Sequence, residues 1–414
     1  PAPRQPPDPH HIQPSRPGTA LTPPGLAGAA GAQGMGLPSP GMPAQPVPQA
    51  PVNTGQTDRF SSVFNPALSA VVDVVGDYVD VDGHSDDSGL DVGLRAFEVG
   101  INSWVDPLAW FYAIAVATEE ELAIEEAAIH YLGLGPNTTL RVGRFFIDFG
   151  RQMQWHPHEL RTVERPLPLR TYLGEEAGGD GLQFDHWFGV GDATLVRWSV
   201  GAFANLAGEH EHGEEHEGEE EAEVIVPGRK DLDEFNLTAR LTAFTELSDS
   251  TMLQLGASAR AIPEYGLEYE AEEVDGLSNV VYGTDLTWTW IDDTGTERWT
   301  LGGEYLLSTG DTGAEIDAGA ISVFDDSVGG WFAYVDYAWD PFNRSGIQYA
   351  RTELPSSADL TQGELEVYYT RLFSEFHRLR LAVGLVDGDE EPDSTRVALQ
   401  YTAVVGAHNH GINW

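Results

Sequence analysis

The sequence predicts an all-β fold, a transmembrane antiparallel β-barrel of about sixteen strands, with short periplasmic turns, long external loops and one loop folded into the lumen. Three observations lead there. Apolar residues recur at every second position through most of the chain after the first sixty or so residues. The connections between these runs alternate between tight and long. Aromatic residues gather at the ends of the runs, where an interfacial girdle needs them.

Before the strands begin, 15 of the 26 prolines fall ahead of residue 52, in stretches such as PPDPHHIQPSRPG and LPSPGMPAQPVPQAP. No helical or strand period runs through them, so residues 1–58 read as an extended or disordered arm and 59–414 as the barrel. At about 3.1 Å per residue such an arm would reach on the order of 150 Å. From there the comb is regular. In FNLTARLTAF (235–244), Phe235, Leu237, Ala239, Leu241 and Ala243 oppose Asn236, Thr238, Arg240 and Thr242. LQLGASARA, ELEVYY and RVALQYTAV repeat the alternation. WFAYVDYAW sets Trp331 and Trp339 at the two ends of one face, and LTWTW adds Trp288 and Trp290.

WVDPLAW, GLGPNTT, GVGDAT, ELSDST, IDDTGTE, AWDPFNR and SEFHRL read as tight turns. Between them lie longer pieces: VDGHSDDSG, residues 150–180, the histidine and glutamate stretch near 210, PEYGLEYEAEEVDG, TGDTGAEIDAGAISVFDDS, PSSADLT and DGDEEPD. Short turns on the periplasmic side and longer loops outside are the outer-membrane pattern, and an even strand count places both chain ends in the periplasm. A soluble all-β propeller, sandwich or open barrel would also alternate, but it need not sort its loops by length.

Composition narrows the partners. With 22 basic against 66 acidic residues the formal charge is -44, which disfavours nucleic acid and gathers cations. There is no cysteine, hence no disulfide and no thiolate metal site, as suits an exported protein. No run of 18 apolar residues exists to make a transmembrane helix. The chain opens at Pro1 without a secretory leader, the expectation for a processed, exported form.

FNPALS (64–69), VGRFFIDFGRQMQWHPHELRTVERPLPLRTYLGEE (142–176) and DGLQF (180–184) resemble a group of Gram-negative outer-membrane β-barrel proteins related to porins, among them some described as zinc-regulated outer-membrane receptors. The likeness covers most of the chain from about Phe64, with its specific motif in about 40 residues. It implies a bacterial outer-membrane location, outer-membrane lipid as surroundings, and a link to zinc. Energy-coupled receptors carry a folded plug far larger than the first sixty residues here, so passive passage is the expectation. Barrels of this kind resemble one another in ending on an aromatic residue read by the barrel-assembly machinery, and Trp414 supplies one.

Residues 150–180 form the third long connection, similar in position to the loop that narrows general porins. Trp155, Leu160, Val163, Leu167, Leu169, Tyr172 and Leu173 anchor it. Arg141, Arg144, Arg151, Arg161, Arg165 and Arg170 stand against Asp148, Glu159, Glu164, Glu175 and Glu176. Opposed charges across a constriction orient polar solutes; alternatively they are ion pairs holding the loop to the wall.

For metal, WHPHE offers His156, His158 and Glu159, with His186 as a conceivable third nitrogen. A rigid His-Pro-His turn without metal is the competing reading. GEHEHGEEHEGEEEAE (208–223) adds His210, His212 and His216 among nine glutamates, suited to weak cation capture at the mouth or to no specific ligand at all. No cofactor is required, although zinc or another divalent cation is a candidate. Nothing resembling a GxSxG elbow, HExxH or a phosphate loop is present, so enzymatic activity is not expected. The expected function is a porin-like channel passing small hydrophilic solutes or metal ions, cation-biased and favouring zinc or another divalent metal. The alternatives are an anion or oligosaccharide porin using the arginines at 141–170, and a nonconducting surface-binding or adhesion barrel. A homo-trimer is possible by analogy of fold.

Overall fold

The computed structural model describes residues 66–84, 88–118, 122–204, 223–225, 235–269, 272–317, 320–374, 376–390 and 392–406. The proline-rich arm, His210, His212, His216 and Trp414 lie outside the described residues.

Strands β1 (Ala67–Val81), β2 (Gly89–Asp106), β3 (Ala109–Ala117), β4 (Leu122–Tyr131) and β5 (Thr138–Phe146) lead into the long connection. That connection holds a single 3-10 turn (Pro157–Glu159) and a short helix, α1 (Leu167–Leu173). Strands β6 (Gly178–Val190), β7 (Thr194–Phe203), β8 (Glu223–Ile225) and β9 (Asn236–Ser248) follow. The second half is β10 (Thr251–Tyr269), β11 (Glu272–Ile291), β12 (Arg298–Asp317), β13 (Ala320–Asp340), β14 (Asn343–Leu354), β15 (Ser357–Ser374), β16 (His377–Gly388) and β17 (Ser394–Gly406).

Each long strand pairs antiparallel with its neighbours, and β1 pairs with both β2 and β17, closing the sheet on itself. Among the described residues the three-residue β8 pairs only with the outer end of β10, so sixteen strands make the wall. Closure leaves no strand edge, which a barrel in hydrocarbon requires.

The wall is inside-out relative to a soluble protein. Leu237, Leu241, Leu255, Leu286, Ile347, Val367, Leu381 and Leu399 are exposed, between 44% and 53%. Their alternating partners Thr238, Arg240, Gln254, Thr287, Gln348, Glu366, Arg380 and Gln400 are buried inside. An apolar outer face of this extent is covered by lipid.

Aromatic residues bound it. Trp299, Tyr337, Trp339 and Tyr369 form a chain of ring contacts near the short turns, with centroids 4.3, 6.2 and 5.9 Å apart. A second group, Tyr305, Trp331 and Tyr349, lies farther up the same strands. Trp331 and Trp339 span about 26 Å of strand at roughly 3.3 Å per residue, or about 20 Å along the axis of a barrel tilted by about 40°.

Three expected loops are organised differently. PEYGLEYEAEEVDG and TGDTGAEIDAGAISVFDDS are continuations of β10–β11 and β12–β13 that project beyond the apolar band as hairpins. PSSADLT is reduced to a two-residue turn between β14 and β15. Alternation extends into the tall hairpins, where Leu267, Leu277 and Ile321 are buried together with Tyr265, Val274 and Val323 packed on them. Pro263 falls where the β10–β11 register shifts, so its missing N–H breaks no regular pair.

Leu286 lies midway between Tyr282 and Trp290 on the lipid face. Leu286→Arg should destabilise the folded barrel by about 2–4 kcal/mol in reversible vesicle unfolding. Thr287→Ser, one position along on the lumen side, should cost far less; equal losses would contradict the face assignment.

Candidate functional site: the inner loop and the charged lumen

Beyond Phe146 the chain turns into the barrel. Gly150 has φ 55°, and a side chain there would strike the Glu304 carboxylate, so glycine is the residue this bend accepts. Pro166 caps α1 and Pro168 sits in its first turn, where amide hydrogens have no helical partner. Gly174, with φ 82°, ends it.

The loop is packed as a core. Ile147, Phe149, Met153 and Leu169 are fully buried, against Phe145, Phe203, Val281, Leu306, Val328 and Phe332 from the wall. These wall residues face inward, where alternation alone leads one to expect polar groups. Each such burial contributes about 1.5–3 kcal/mol. Gly283 makes room for the Phe149 ring, which would lie 2.6 Å from an added Cβ.

On the opposite side the wall grips the loop backbone. Arg380 donates to the carbonyls of Leu160 and Thr162, and Arg95 donates to that of Val163 at 2.6 Å. Glu366 accepts from the Val163 amide at 3.0 Å.

The charged residues singled out from the sequence separate into three groups. Asp148, Arg141, Arg151, Arg161 and Arg165 belong to the packed interior. Asp148 pairs with Arg197 at 2.7 Å and accepts from Ser199 at 2.6 Å. Arg141 bonds Gln183 at 3.1 Å and stacks on Phe145. Arg161 lies over the rings of Trp155 and Tyr334, and Arg151 over Trp155. Arg165 donates to the carbonyls of Gln152 and Trp155, each at 2.5 Å. Of these five, Asp148 and Arg161 tie the loop to the wall, through Arg197 and the Tyr334 ring; Arg151 and Arg165 brace the loop internally, and Arg141 braces the wall beside it.

The second group reaches water. Glu164 bonds Arg396 at 2.7 Å, Arg396 also pairs with Asp77, and Arg170 pairs with Glu364. Arg95 pairs with Asp73 at 2.5 Å. The side chains of Arg170, Arg396 and Glu164 remain 27–30% exposed. Glu175 is exposed and Glu176 half-buried. Burial works against the charged Glu164 carboxylate, but Arg95, Arg396 and Arg170 hold it below the usual carboxylate range. Sequence reading missed Asp77, Arg95, Arg396 and Glu364, because four separate strands bring them to one rim.

Arg144 forms the third group and is corrected. Three positions from Arg141 on one strand, it takes the opposite face and forks onto Asp180 at 2.9 and 3.0 Å outside the barrel. His186 is likewise removed from the candidate metal set. Gln183 and Asp185 turn inward, whereas His186 bonds Thr138 at 3.0 Å and contacts Phe188 and Trp198 on the outer face.

His156 and His158 do converge, on a carboxylate the motif did not include. Oxygens of Glu98 on β2 lie 2.7 Å from His158 Nδ1 and 3.8 Å from His156 Nδ1. Glu159, within the 3-10 turn, does not join them in the cluster of donor atoms. The His156 ring is also bracketed by Glu125 at 3.0 Å and Glu126 at 3.2 Å. Adjacent strand residues normally face opposite ways; here the β3–β4 register shifts between Ile114 and Ala115, leaving Glu125 as an extra residue turned inward. The Glu-Glu doublet in LAIEEAAIH is the sequence trace of that bulge. Burial alone would favour the neutral ring, but Glu125, Glu126 and Glu98 raise His156 well above its ordinary pKa.

No family model matches the chain. An uncharacterised protein of Aquifex aeolicus is 28% identical over 333 residues, covering 76% of this chain and 68% of that one. Among solved structures, the anion-selective porin of Comamonas acidovorans superposes with a TM-score of 0.55 at 11% identity, covering 82% of this chain and 99% of its own. The loop L8 deletion mutant of OmpT, an outer membrane protein of Vibrio cholerae, gives 0.54 at 9%, covering 83% and 100%. OprB of Pseudomonas putida gives 0.53 at 11%, covering 83% and 94%. The fold is thus a porin-type closed barrel.

Arg380→Ala removes the donor to two loop carbonyls and should cost about 1.5–3 kcal/mol. Phe149→Ala, through its cavity, should cost about 3–5 kcal/mol. Amide hydrogen exchange should then rise within residues 147–177 and stay unchanged across β10–β13. Exchange rising evenly throughout the barrel would contradict the loop's separate docking.

Proposed function

We propose that this protein is a porin-like channel of a bacterial outer membrane, passing small hydrophilic solutes without energy coupling or catalysis. The observation that carries this reading is the water-reaching rim of Asp77, Arg95, Glu164, Arg170, Glu364 and Arg396, between the inner loop and β1, β2, β15 and β17. Opposed charges on a narrow rim orient dipolar solutes while leaving a wet route. An apolar belt toward lipid, a periplasmic arm and delivery by the barrel-assembly machinery accompany this reading. Trimerisation is part of it too, supported by fold analogy with the trimer form of Vibrio OmpT, whose TM-score is 0.50 at 8% identity.

The proposed bias is toward cations, with zinc or another divalent ion as specific cargo. Asp80, Asp82, Asp325, Asp326, Asp389 and Glu390 lie toward the long-loop ends of β1, β13 and β16, a mouth that concentrates cations. Anion passage is the second reading, favoured by one observation. Of the 17 arginines among the described residues, all but Arg144, Arg351 and Arg371 belong to the lumen or its loop, so 14 are inside. Most of these, however, are buried against carboxylates, carbonyls or rings. Surface adhesion without conduction has no comparable support.

Reversal potentials in planar bilayers under a potassium chloride gradient should show potassium preferred, with Glu164→Gln and Glu364→Gln each reducing that preference. Chloride preference would overturn the cation assignment, and a correctly folded protein that passes no current would overturn the channel itself.

A further inference from the structure

The geometry points to a divalent-cation site formed by Glu98, His156 and His158, which fastens the inner loop to the barrel wall. It goes beyond the channel proposal and does not depend on it. One ligand atom from each residue lies within 4.8 Å of the others, and all three residues are buried. Glu98 belongs to β2 of the wall, whereas the two histidines flank Pro157 at the start of the 3-10 turn. An ion bound here would bridge elements about sixty residues apart in sequence.

The donor set suits zinc, cobalt or nickel: two neutral imidazoles and one carboxylate are borderline ligands, with no thiolate available. Metal–ligand lengths of about 2.0–2.1 Å place tetrahedral ligand atoms about 3.3 Å apart. Glu98 already approaches the two rings at 2.7 and 3.8 Å, and the ring centroids are 5.8 Å apart. Rotamer adjustments of about an ångström, well within side-chain reach, would close the set.

The surroundings of the two rings are acidic. Three carboxylates, Glu98, Glu125 and Glu126, converge on the buried His156 ring. Arg165 and Arg141, from neighbouring segments, donate to loop carbonyls and to Gln183. A dication suits a buried pocket in which three carboxylates surround the imidazole of a two-histidine set. With an ion on one nitrogen of His156, the carboxylate beside the other nitrogen, Glu125 at Nδ1 or Glu126 at Nε2, would orient the ring as the carboxylate partner of a metal-bound histidine does.

The test uses the full-length chain, folded as judged by heat-modifiable migration and stripped by chelator. Zinc calorimetry and the visible absorption of bound cobalt are measured on wild type, Glu98→Gln, His158→Gln, His156→Gln and a deletion of residues 209–223. Wild type and the deletion should bind one ion with the same affinity, and each point variant that folds should bind at least tenfold more weakly. Glu98→Gln and His158→Gln leave the pairing of His156 with Glu125 and Glu126 in place, so they report even if His156→Gln does not fold. No binding by wild type would overturn the site. So would affinity unchanged in both Glu98→Gln and His158→Gln, or binding that disappears with residues 209–223. Loss of conductance with metal binding intact would strike only the channel reading.

Discussion

Hydrocarbon offers no water to backbone amides and carbonyls, and the rest of this architecture depends on that constraint. An open sheet would leave two rows of unpaired groups in lipid. Pairing β1 with β17 removes both rows at once and creates an enclosed interior. Period-two alternation then sorts side chains without further instruction, Leu241 to lipid and Arg240 to the lumen. The interior so formed is wide for polar side chains alone to fill.

Residues 147–177 meet that need asymmetrically. Toward β3–β7 and β11–β14 the loop makes an apolar core; toward β1, β2 and β15–β17 its backbone is held by Arg95, Arg380 and Glu366. The second side keeps Glu164, Arg170 and Arg396 in contact with water. Rigid docking and residual solvent access are therefore consequences of one arrangement. The buried pairs of Asp148 with Arg197 and Arg240 cost desolvation and tie the start of the loop to β7 and β9.

Two β-bulges place chemistry that alternation would forbid. Arg95 is the extra residue where the β1–β2 register shifts, and Glu125 is its counterpart between β3 and β4. The first sends a guanidinium to the loop carbonyl of Val163; the second lets consecutive glutamates bracket His156. A one-residue insertion thus serves both the docking of the loop and the acidic pocket around its histidines.

The sequence by itself determined the barrel, its strand number, its two faces and which connection would enter the lumen, because alternation, aromatic ends and apolar anchors such as Leu167, Leu169 and Leu173 are local properties. The tall hairpins read as loops in the sequence, since Pro, Gly and Glu in PEYGLEYEAEEVDG resemble turn residues until a neighbouring hairpin buries Leu267. Arg144 and His186 lie on the outer face for a different reason: nearness in sequence to the loop does not set a side chain's face, which follows strand parity and register. His156 and His158 were legible as a pair, but their partner Glu98 was not. Only tertiary structure decided that partnership, and the rim of Asp77, Arg95, Glu364 and Arg396, because each joins strands whose neighbourhood exists only once the sheet has closed.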